Sequence, residues 1–440
     1  MAGYLYRVCV TLIFCFLVFT ATARADVEYI DITDPSLKKI PLAIPLFKNI
    51  SGQPEHAPVA IQAADFVAAT LDFTGYFKML DRGSFLADPA SPNIVASTIT
   101  FQNWTAIGAE LLITGGYMVT GDFIEMELRL FDPFKSRLLV GKRYKGALDD
   151  QRKIIRRFCS EVIYRLTGNR GIFDSEIAFV SNGSGHKEIY ISEFDGHNPK
   201  QFTRTRNITL SPAWSSDGNW IAYTGYKGNQ PRLYIKHRRE QRGAVFAQDG
   251  VKIDPAWVPG RFELGATLSF EGDPEIYLLT GKGKIIKKLT RSRGIDLSPS
   301  WSPDGRKIAF VSRRHGSPQI YIKDLKSGNV RRLTYRGRYN QQPSWSPAGD
   351  RIAYVSMVNG RLNIFAIDLN GNTPVQLTHG AGDNESPSWS PDGSLIAFSS
   401  TREGPSRIYV MSAHGGDQRR LLTLNGEQSN PSWSPRQSGD

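Results

Sequence analysis

Apolar positions in the second half of this chain fall in short runs separated by turn residues. Ile308-Ala309-Phe310-Val311 is followed by Ile320-Tyr321-Ile322. The same pair of runs returns as Ile352-Ala353-Tyr354-Val355 with Ile364-Phe365-Ala366, and as Ile396-Ala397-Phe398 with Ile408-Tyr409-Val410. Runs this short, rich in β-branched and aromatic residues and bounded by Gly, Asp and Pro, predict strands. A tryptophan heads each unit: Trp214, Trp257, Trp301, Trp345, Trp389 and Trp433, at gaps of 43, 44, 44, 44 and 44 residues. A period of about 40–45 residues is that of one propeller blade.

The clearest unit, Pro299 to Thr334, reads Pro-Ser-Trp-Ser-Pro-Asp-Gly, then Ile-Ala-Phe, then Ile-Tyr, then Leu-Thr. It holds four runs, which predicts a four-stranded antiparallel sheet. Asp304-Gly305 and Asp392-Gly393 suit tight turns, where glycine takes a positive φ at little cost. The tryptophan belongs on the innermost strand, wedged between neighbouring blades. There are six Ile-Tyr columns, and the first, Ile189-Tyr190, lacks a tryptophan in register: Arg170 stands there. The missing strand lies at the other end, in Asn430 to Pro435. The prediction is a six-bladed β-propeller over residues 171–440, its first blade completed by the closing strand 430–435, which removes free sheet edges. Two units depart from the pattern. Val258-Pro259-Gly260 replaces the Asp-Gly turn, and Lys236–Arg242 lacks the Leu-Thr run, so altered outer strands are expected there.

Residues 26–170 show no repeat and predict a separate, small α/β domain. Pro41–Phe47, Glu110–Val119, Asp122–Phe131 and Arg137–Tyr144 read as strands. Ala57–Phe73 and Asp149–Leu166 carry apolar residues at helical spacing. Asp149 and Asp150 suit the positive end of the second helix, and Gly168 ends it. The fold class is thus two-domain: a small α/β N-terminal domain followed by an all-β six-bladed propeller. The polypeptide enters the propeller at the start of a second strand, which puts the N-terminal domain on the Asp-Gly side of the ring.

The extreme N-terminus alters the picture. Arg7, the apolar run Val8–Phe19 and Ala23-Arg24-Ala25 form a cleavable export signal over residues 1–25, too short to span a bilayer. No later stretch could span one. Only Cys159 then remains of three cysteines, so no intramolecular disulfide can form. Its helical setting predicts a small buried residue. An exported chain without disulfides points to a bacterial periplasm. Residues 26–36 form an arm in which Asp26-Val27-Glu28-Tyr29-Ile30-Asp31-Ile32 alternate acidic and apolar side chains before Thr33 and Asp34. Such a segment reads either as an edge strand or as a mobile arm that adds to a partner's sheet.

Charge is unevenly spread. Residues 26–170 carry 17 basic and 17 acidic side chains, residues 171–440 carry 35 and 25. A basic propeller attracts anionic partners, but export argues against nucleic acid. Part of the charge is edge protection: Lys287-Lys288, Arg331-Arg332 and Arg419-Arg420 occupy outermost strands. Catalytic signatures are missing. There is no Gly-x-Ser-x-Gly elbow, His-Glu-x-x-His or Cys-x-x-Cys. Asp217, Asp304 and Asp392 read as turn formers rather than as calcium ligands or catalytic carboxylates. No cofactor, no metal and no enzyme activity are expected.

In the order of its parts, the chain resembles the TolB family, periplasmic components of the Tol–Pal system. The shared features are the export signal, the small α/β domain, the Trp-Ser-Pro-Asp-Gly…Ile-Ala-Phe…Ile-Tyr…Leu-Thr units and the terminal Pro-Ser-Trp-Ser-Pro. The resemblance implies a monomeric, non-enzymatic scaffold. Its propeller binds the lipoprotein Pal and its N-terminal arm, here Asp26 to Asp34, binds TolA, with other outer-membrane proteins as further partners. The implied role is outer-membrane invagination during cell division and maintenance of outer-membrane integrity. It also implies Pal contacts in interblade loops just ahead of Pro-x-Trp: Val251, Asp254 and Leu297, with Asp296, Asn340, Asn384 and Glu385 alongside. The alternative reading is a periplasmic propeller enzyme or carbohydrate-binding protein.

Overall fold

A computed structural model describes residues 38–51, 57–86, 93–240, 242–270, 272–380 and 382–437. The expected export signal, 1–25, and the expected arm, 26–36, lie outside the described residues.

The first domain is built on a mixed sheet. Its elements are β1 (Ile40–Ala43), β2 (Lys48–Asn49), α1 (Ala57–Asp72), β3 (Phe77–Met79), α2 (Phe101–Ala106), β4 (Leu111–Thr120), β5 (Phe123–Asp132), β6 (Arg137–Ala147) and α3 (Gln151–Thr167). The strand order is β3-β1-β4-β5-β6, with β2 beside β4. β1 runs parallel to β3 and β4, while β4, β5 and β6 form an antiparallel meander. Alternation along the strands gives the sheet two apolar faces. Leu42, Ile113, Met126 and Leu128 meet Val67 and Leu71 of α1 and Phe158 and Val162 of α3. Ala43, Leu112 and Phe131 meet Phe101 and Trp104 of α2. Gly168 ends α3 at φ 74°, its N–H bonded to the Tyr164 carbonyl. Cys159 is fully buried on this helix, and burial pushes its thiol far above the usual range. The short elements β3 and α2 escape sequence periodicity, which needs more than one turn or two strand repeats to show.

Six four-stranded antiparallel sheets follow, each ordered from the axis outward. Blade 1 joins Gln428–Trp433 to Glu176–Ser181, Glu188–Glu193 and Lys200–Gln201. Blade 2 runs from Thr209–Trp214 to Gly243–Phe246, blade 3 from Val251–Trp257 to Ile285–Lys288, and blade 4 from Asp296–Trp301 to Val330–Arg332. Blade 5 runs from Asn340–Trp345 to Val375–Gln376, and blade 6 from Asn384–Trp389 to Arg419–Arg420. The expected altered outer strands resolve differently in the two units. Blade 3 keeps four strands, and Gly260 at φ 70° supports its variant turn, but its outer strand is altered as expected: the pairing with Ile285–Lys288 shifts register between Leu278 and Leu279. Blade 2 keeps an outer strand but reaches it late, at Gly243–Phe246, after the basic stretch ending at Arg242.

The repeat columns now have physical roles. Each tryptophan is about nine-tenths buried between blades. Trp257 donates its indole N–H to the Ala213 carbonyl of blade 2, and Trp301 donates to Ala256 of blade 3. Buried indoles need such acceptors. The Phe of Ile-Ala-Phe and the Tyr of Ile-Tyr are cross-strand partners, as in Phe310 opposite Tyr321 with ring centroids 6.1 Å apart. The Asp of the turn is a turn former: the Ser302 hydroxyl and the Arg306 N–H donate to Asp304 and hold its carboxyl below the usual range.

The N-terminal domain sits on the Asp-Gly side, against blades 6 and 1. Lys39 pairs with Asp417 at 2.9 Å, Arg152 with Asp195 at 2.8 Å and Arg156 with Glu193 at 2.9 Å. Phe73 meets Phe194 edge to face at 5.3 Å. One apolar cluster runs from Ile155 and Phe158 through Phe173 and Phe194 to Leu395 and Trp433.

Candidate functional site

On the opposite side of the ring lie the interblade connections, and the inner strands start beneath them. All seven propeller residues expected in loops lie on these inner strands instead. A strand alternates its side chains between faces, so the seven separate into two groups.

Asp296, Asn340 and Asn384 occupy one column and are fully buried. They are not solvated loop residues: their side chains are enclosed within the blades. Asp296 accepts from Arg314 at 3.0 Å, and burial raises its carboxyl above the usual range despite that partner. Asn384 accepts from Arg402 at 3.0 Å and from the Ser400 hydroxyl at 2.8 Å. Asn340 donates to Gln319 and to the Arg336 carbonyl, both at 2.8 Å. Their neighbour in space is the threonine of the Leu-Thr run. Thr290 donates to Glu275 at 2.6 Å and accepts from the Ile276 N–H at 2.9 Å. The same clasp recurs as Thr203 on Glu188, Thr334 on Gln319 and Thr378 on Asn363. Glu275 and Glu188 also accept from loop backbone, at Ser292 and Arg206. This column therefore anchors the interblade loops from below.

Val251, Asp254, Leu297 and Glu385 stay partly exposed. Leu297 and Glu385 belong to a column with Leu210, Ile253, Gln341 and Ser429 that faces the axis near the mouth of the central channel. One step further in, Ser211, Asp254, Ser298, Gln342, Ser386 and Asn430 form a ring. Each has φ between 49° and 55°, although each is non-glycine and precedes proline. That left-handed backbone is costly for such residues. It coincides with a register shift in every inner strand, so it is a β-bulge repeated six times. Bulges re-aim side chains, and here they turn six polar groups into contact across blades. Ser298 donates to Asp254 at 2.7 Å and Ser211 donates to it at 3.3 Å. Gln342 accepts from the Ser386 N–H at 2.7 Å, and Asn430 donates to the Ser386 hydroxyl at 3.2 Å. Asp254 is the ring's one carboxylate. Burial among the inner strands raises it above the usual range, against the two serine hydroxyls. Burial also raises Glu385, with Asp383 adding repulsion. Sequence reasoning found Asp254 but missed its ring partners. Their signal is the polar residue standing before proline in every unit.

The arrangement offers a polar ring holding one carboxylate, Asp254, edged by Leu210, Ile253, Leu297, Gln341 and Glu385, with its backbone fixed by bulges. Among the described residues, no three His, Cys, Asp or Glu side chains are grouped as a metal site. Such a surface suits recognition of another chain. Residues 28–139 match the family model of the TolB amino-terminal domain, and residues 163–437, more than half of the chain, match that of the TolB beta propeller domain. The chain belongs to the TolB family. The Tol-Pal system protein TolB of Desulfosudis oleivorans is 56% identical over 274 residues, 62% of this chain and 63% of that relative. A TolB homolog of Chlorobium chlorochromatii is 44% identical over 270 residues, 61% of this chain and 60% of that relative. The match thus spans under two thirds of either relative's length. The crystal structure of TolB from Acinetobacter baumannii superposes with a TM-score of 0.79 at 28% identity, covering 91% of this chain and 97% of that one. Both domains of the family are therefore present, in the family's order.

Proposed function

We propose that this protein is a non-catalytic periplasmic scaffold of the Tol–Pal type. Its channel mouth binds the lipoprotein Pal, and its N-terminal segment, Asp26 to Asp34, binds TolA. The observation that carries the reading is the division of the ring into two sides. The N-terminal domain occupies the Asp-Gly side, and the bulged ring opens on the other, free for a second partner. Contact falls to the side chains that keep access to solvent, Val251, Leu297 and Glu385 at the rim and Asp254 within. Asp296, Asn340 and Asn384 act indirectly, by holding the loops.

Calorimetric titration with the soluble domain of Pal tests this. Leu297→Arg and Glu385→Lys are expected to weaken binding at least about tenfold, some 1.4 kcal/mol each, while melting stays near wild type. Normal affinity in both variants would remove Pal from this mouth.

A further inference from the structure

The seat of the N-terminal domain has a repeat-related copy elsewhere in the ring. Phe73, at the end of α1, lies on Phe194 of blade 1 and under Arg419 of blade 6. The Arg419 guanidinium is 4.4 Å from the Phe73 ring centroid and donates to the Phe73 carbonyl. Strand pairing maps this seat onto the cleft between blades 3 and 4. Arg419 stands opposite Val410 as Lys287 stands opposite Leu278. Glu193 stands opposite Glu176 as Asp324 stands opposite Lys307. One and two residues on, Phe194 therefore corresponds to Leu325 and Asp195 to Lys326.

In the other clefts side chains of the propeller itself reach across between blades, although Val375, the counterpart of Lys287 in blade 5, stays exposed. Arg331, the counterpart of Lys287 in blade 4, bonds the Leu369 carbonyl of blade 5. Gln418 of blade 6 closes on the Leu377 carbonyl of blade 5. Phe262 packs on Trp220 and Trp257 between blades 2 and 3. Arg238 of blade 2 is tied to Glu176 of blade 1. Between blades 3 and 4 there is a cavity of about 250 Å³, floored by Val258, Leu278, Leu289 and Leu325; a larger and more polar one, about 600 Å³, lies between blades 4 and 5, lined by Thr334, Arg336, Gly371 and Asn372. Cavities of about 150 Å³ lined by apolar side chains already hold a benzene ring.

The rim reverses the charge of the occupied seat. There, acidic Glu193, Asp195 and Asp417 receive Arg156, Arg152 and Lys39 of the N-terminal domain. Here, Arg261, Lys287, Arg306 and Lys326 line the opening. Glu263 is the one acidic lining residue, 3.9 Å from Arg261. Arg306 is 4.0 Å from Asp304, with both largely exposed. Lys287 and Lys326 have no carboxylate within ion-pair distance among the described residues. Opposed charges select partners more than they add affinity.

We propose that the cleft between blades 3 and 4 is a second docking site, whose occupant is an acidic segment of a partner protein presenting an aromatic side chain. The aromatic ring fills the apolar floor as Phe73 fills its own seat, and flanking carboxylates meet Lys287 and Lys326. The site faces away from the channel mouth, so a partner there leaves the mouth free.

Fluorescence-anisotropy titration of the purified protein tests it. The probe is a labelled peptide in which one phenylalanine sits between two pairs of aspartates. Saturable, salt-sensitive binding is expected, weakened at least about tenfold in Lys287→Glu and in Lys326→Glu. A peptide with alanine for phenylalanine should bind at least about tenfold more weakly, and Leu297→Arg, across the ring, should bind the probe as wild type does. Three results would each overturn the proposal. One is no saturable binding. Another is equal binding of the alanine peptide, which marks a charge patch only. The third is capture of phosphatidylglycerol vesicles, lost in the same two variants, while the peptide fails, which assigns the cleft to a lipid surface.

Discussion

Blade 1 and blade 4 have the same four strands and differ in one covalent fact. In blade 4 the inner strand turns directly into the second through Ser302-Pro303-Asp304-Gly305. In blade 1 the two strands come from opposite ends of the propeller sequence. Yet the hydrogen bonds at the junction coincide. The Ser302 N–H donates to the Lys307 carbonyl at 2.9 Å, and the Ser302 hydroxyl accepts from the Lys307 N–H at 2.9 Å. The Ser434 N–H donates to the Glu176 carbonyl at 2.8 Å, and its hydroxyl accepts from the Glu176 N–H at 2.9 Å. The serine after each tryptophan thus sets the register with or without a turn. What blade 1 lacks is the entropy advantage of a short closed loop. It compensates with contacts across the seam: Trp433 donates to Ser175 at 2.8 Å, the Gln437 N–H donates to the Asp174 carbonyl at 3.1 Å, and the Gln437 side chain donates to Glu176 at 3.0 Å.

The comparison breaks most visibly when the closing strand is removed. Deleting residues 430–440 strips blade 1 of its inner strand and exposes the Glu176–Ser181 edge, Trp433's apolar seat and part of the cluster shared with the N-terminal domain. Scanning calorimetry should show a melting temperature lowered by more than about 10 °C, since each kcal/mol is worth roughly 2–4 °C in a domain of this size. A melting curve like that of the full chain would mean that the seam carries no stability. Trp433→Ala and Trp301→Ala ask the same question of one side chain. Each should cost about 3–5 kcal/mol in denaturant unfolding. Trp433→Ala should be the more damaging, because its strand has no turn to hold it in place. Equal losses would show that the seam behaves as a continuous blade.

A smaller contrast lies in the threonine clasp. Thr203 of blade 1 holds a buried carboxylate, Glu188, at 2.5 Å, whereas Thr334 of blade 4 holds the neutral amide of Gln319 at 2.7 Å. Hydrogen bonds to charged groups contribute more than neutral ones, and a stranded charge costs more. Thr203→Val should therefore cost about 2–3 kcal/mol and Thr334→Val about 1 kcal/mol. The reverse order would show that Thr205 and Arg206, which also donate to Glu188, carry that clasp without Thr203.

These contrasts mark where sequence reading stops. The period of the tryptophans was enough to assign the inner strands, the blade count and the seam, because each tryptophan has one place to go: the wedge against the preceding blade. The Leu-Thr column was visible as a pattern, but its purpose was not. Thr334 acts on Gln319, 15 residues back across a strand pair. Asp296, Asn340 and Asn384 looked like loop residues because they are polar. Their burial depends on Arg314, Gln319 and Arg402, which only folding brings near. Asp254 meets Ser211 and Ser298 across sequence separations of 43 and 44 residues, one repeat length each, so the ring could be read only by stacking the units and asking which column faces the axis. In the N-terminal domain the long helices were legible from their apolar spacing, while β3 and α2 are too short to carry a period.

The channel ring is another column in which blades 1 and 4 agree in both backbone and polarity, and it sharpens the comparison by its exception. Asn430 and Ser298 are neutral at this bulge, whereas blade 3 places a carboxylate there. Asp254→Asn gives blade 3 the residue type that blade 1 already carries. Burial raises Asp254 above its unfolded value, so the folded chain holds this proton more tightly than the unfolded one. Stability is then lost as pH rises from about 4, the ordinary carboxylate range, through the folded value, and the loss is complete above it. The variant escapes that loss. It should melt a few degrees above wild type at pH 7, and the difference should close as the pH falls below about 4. A wild type that melts higher at pH 7 would mean that the Ser211 and Ser298 hydroxyls outweigh the burial of the charge, and that blade 3, not blades 1 and 4, has the better ring residue.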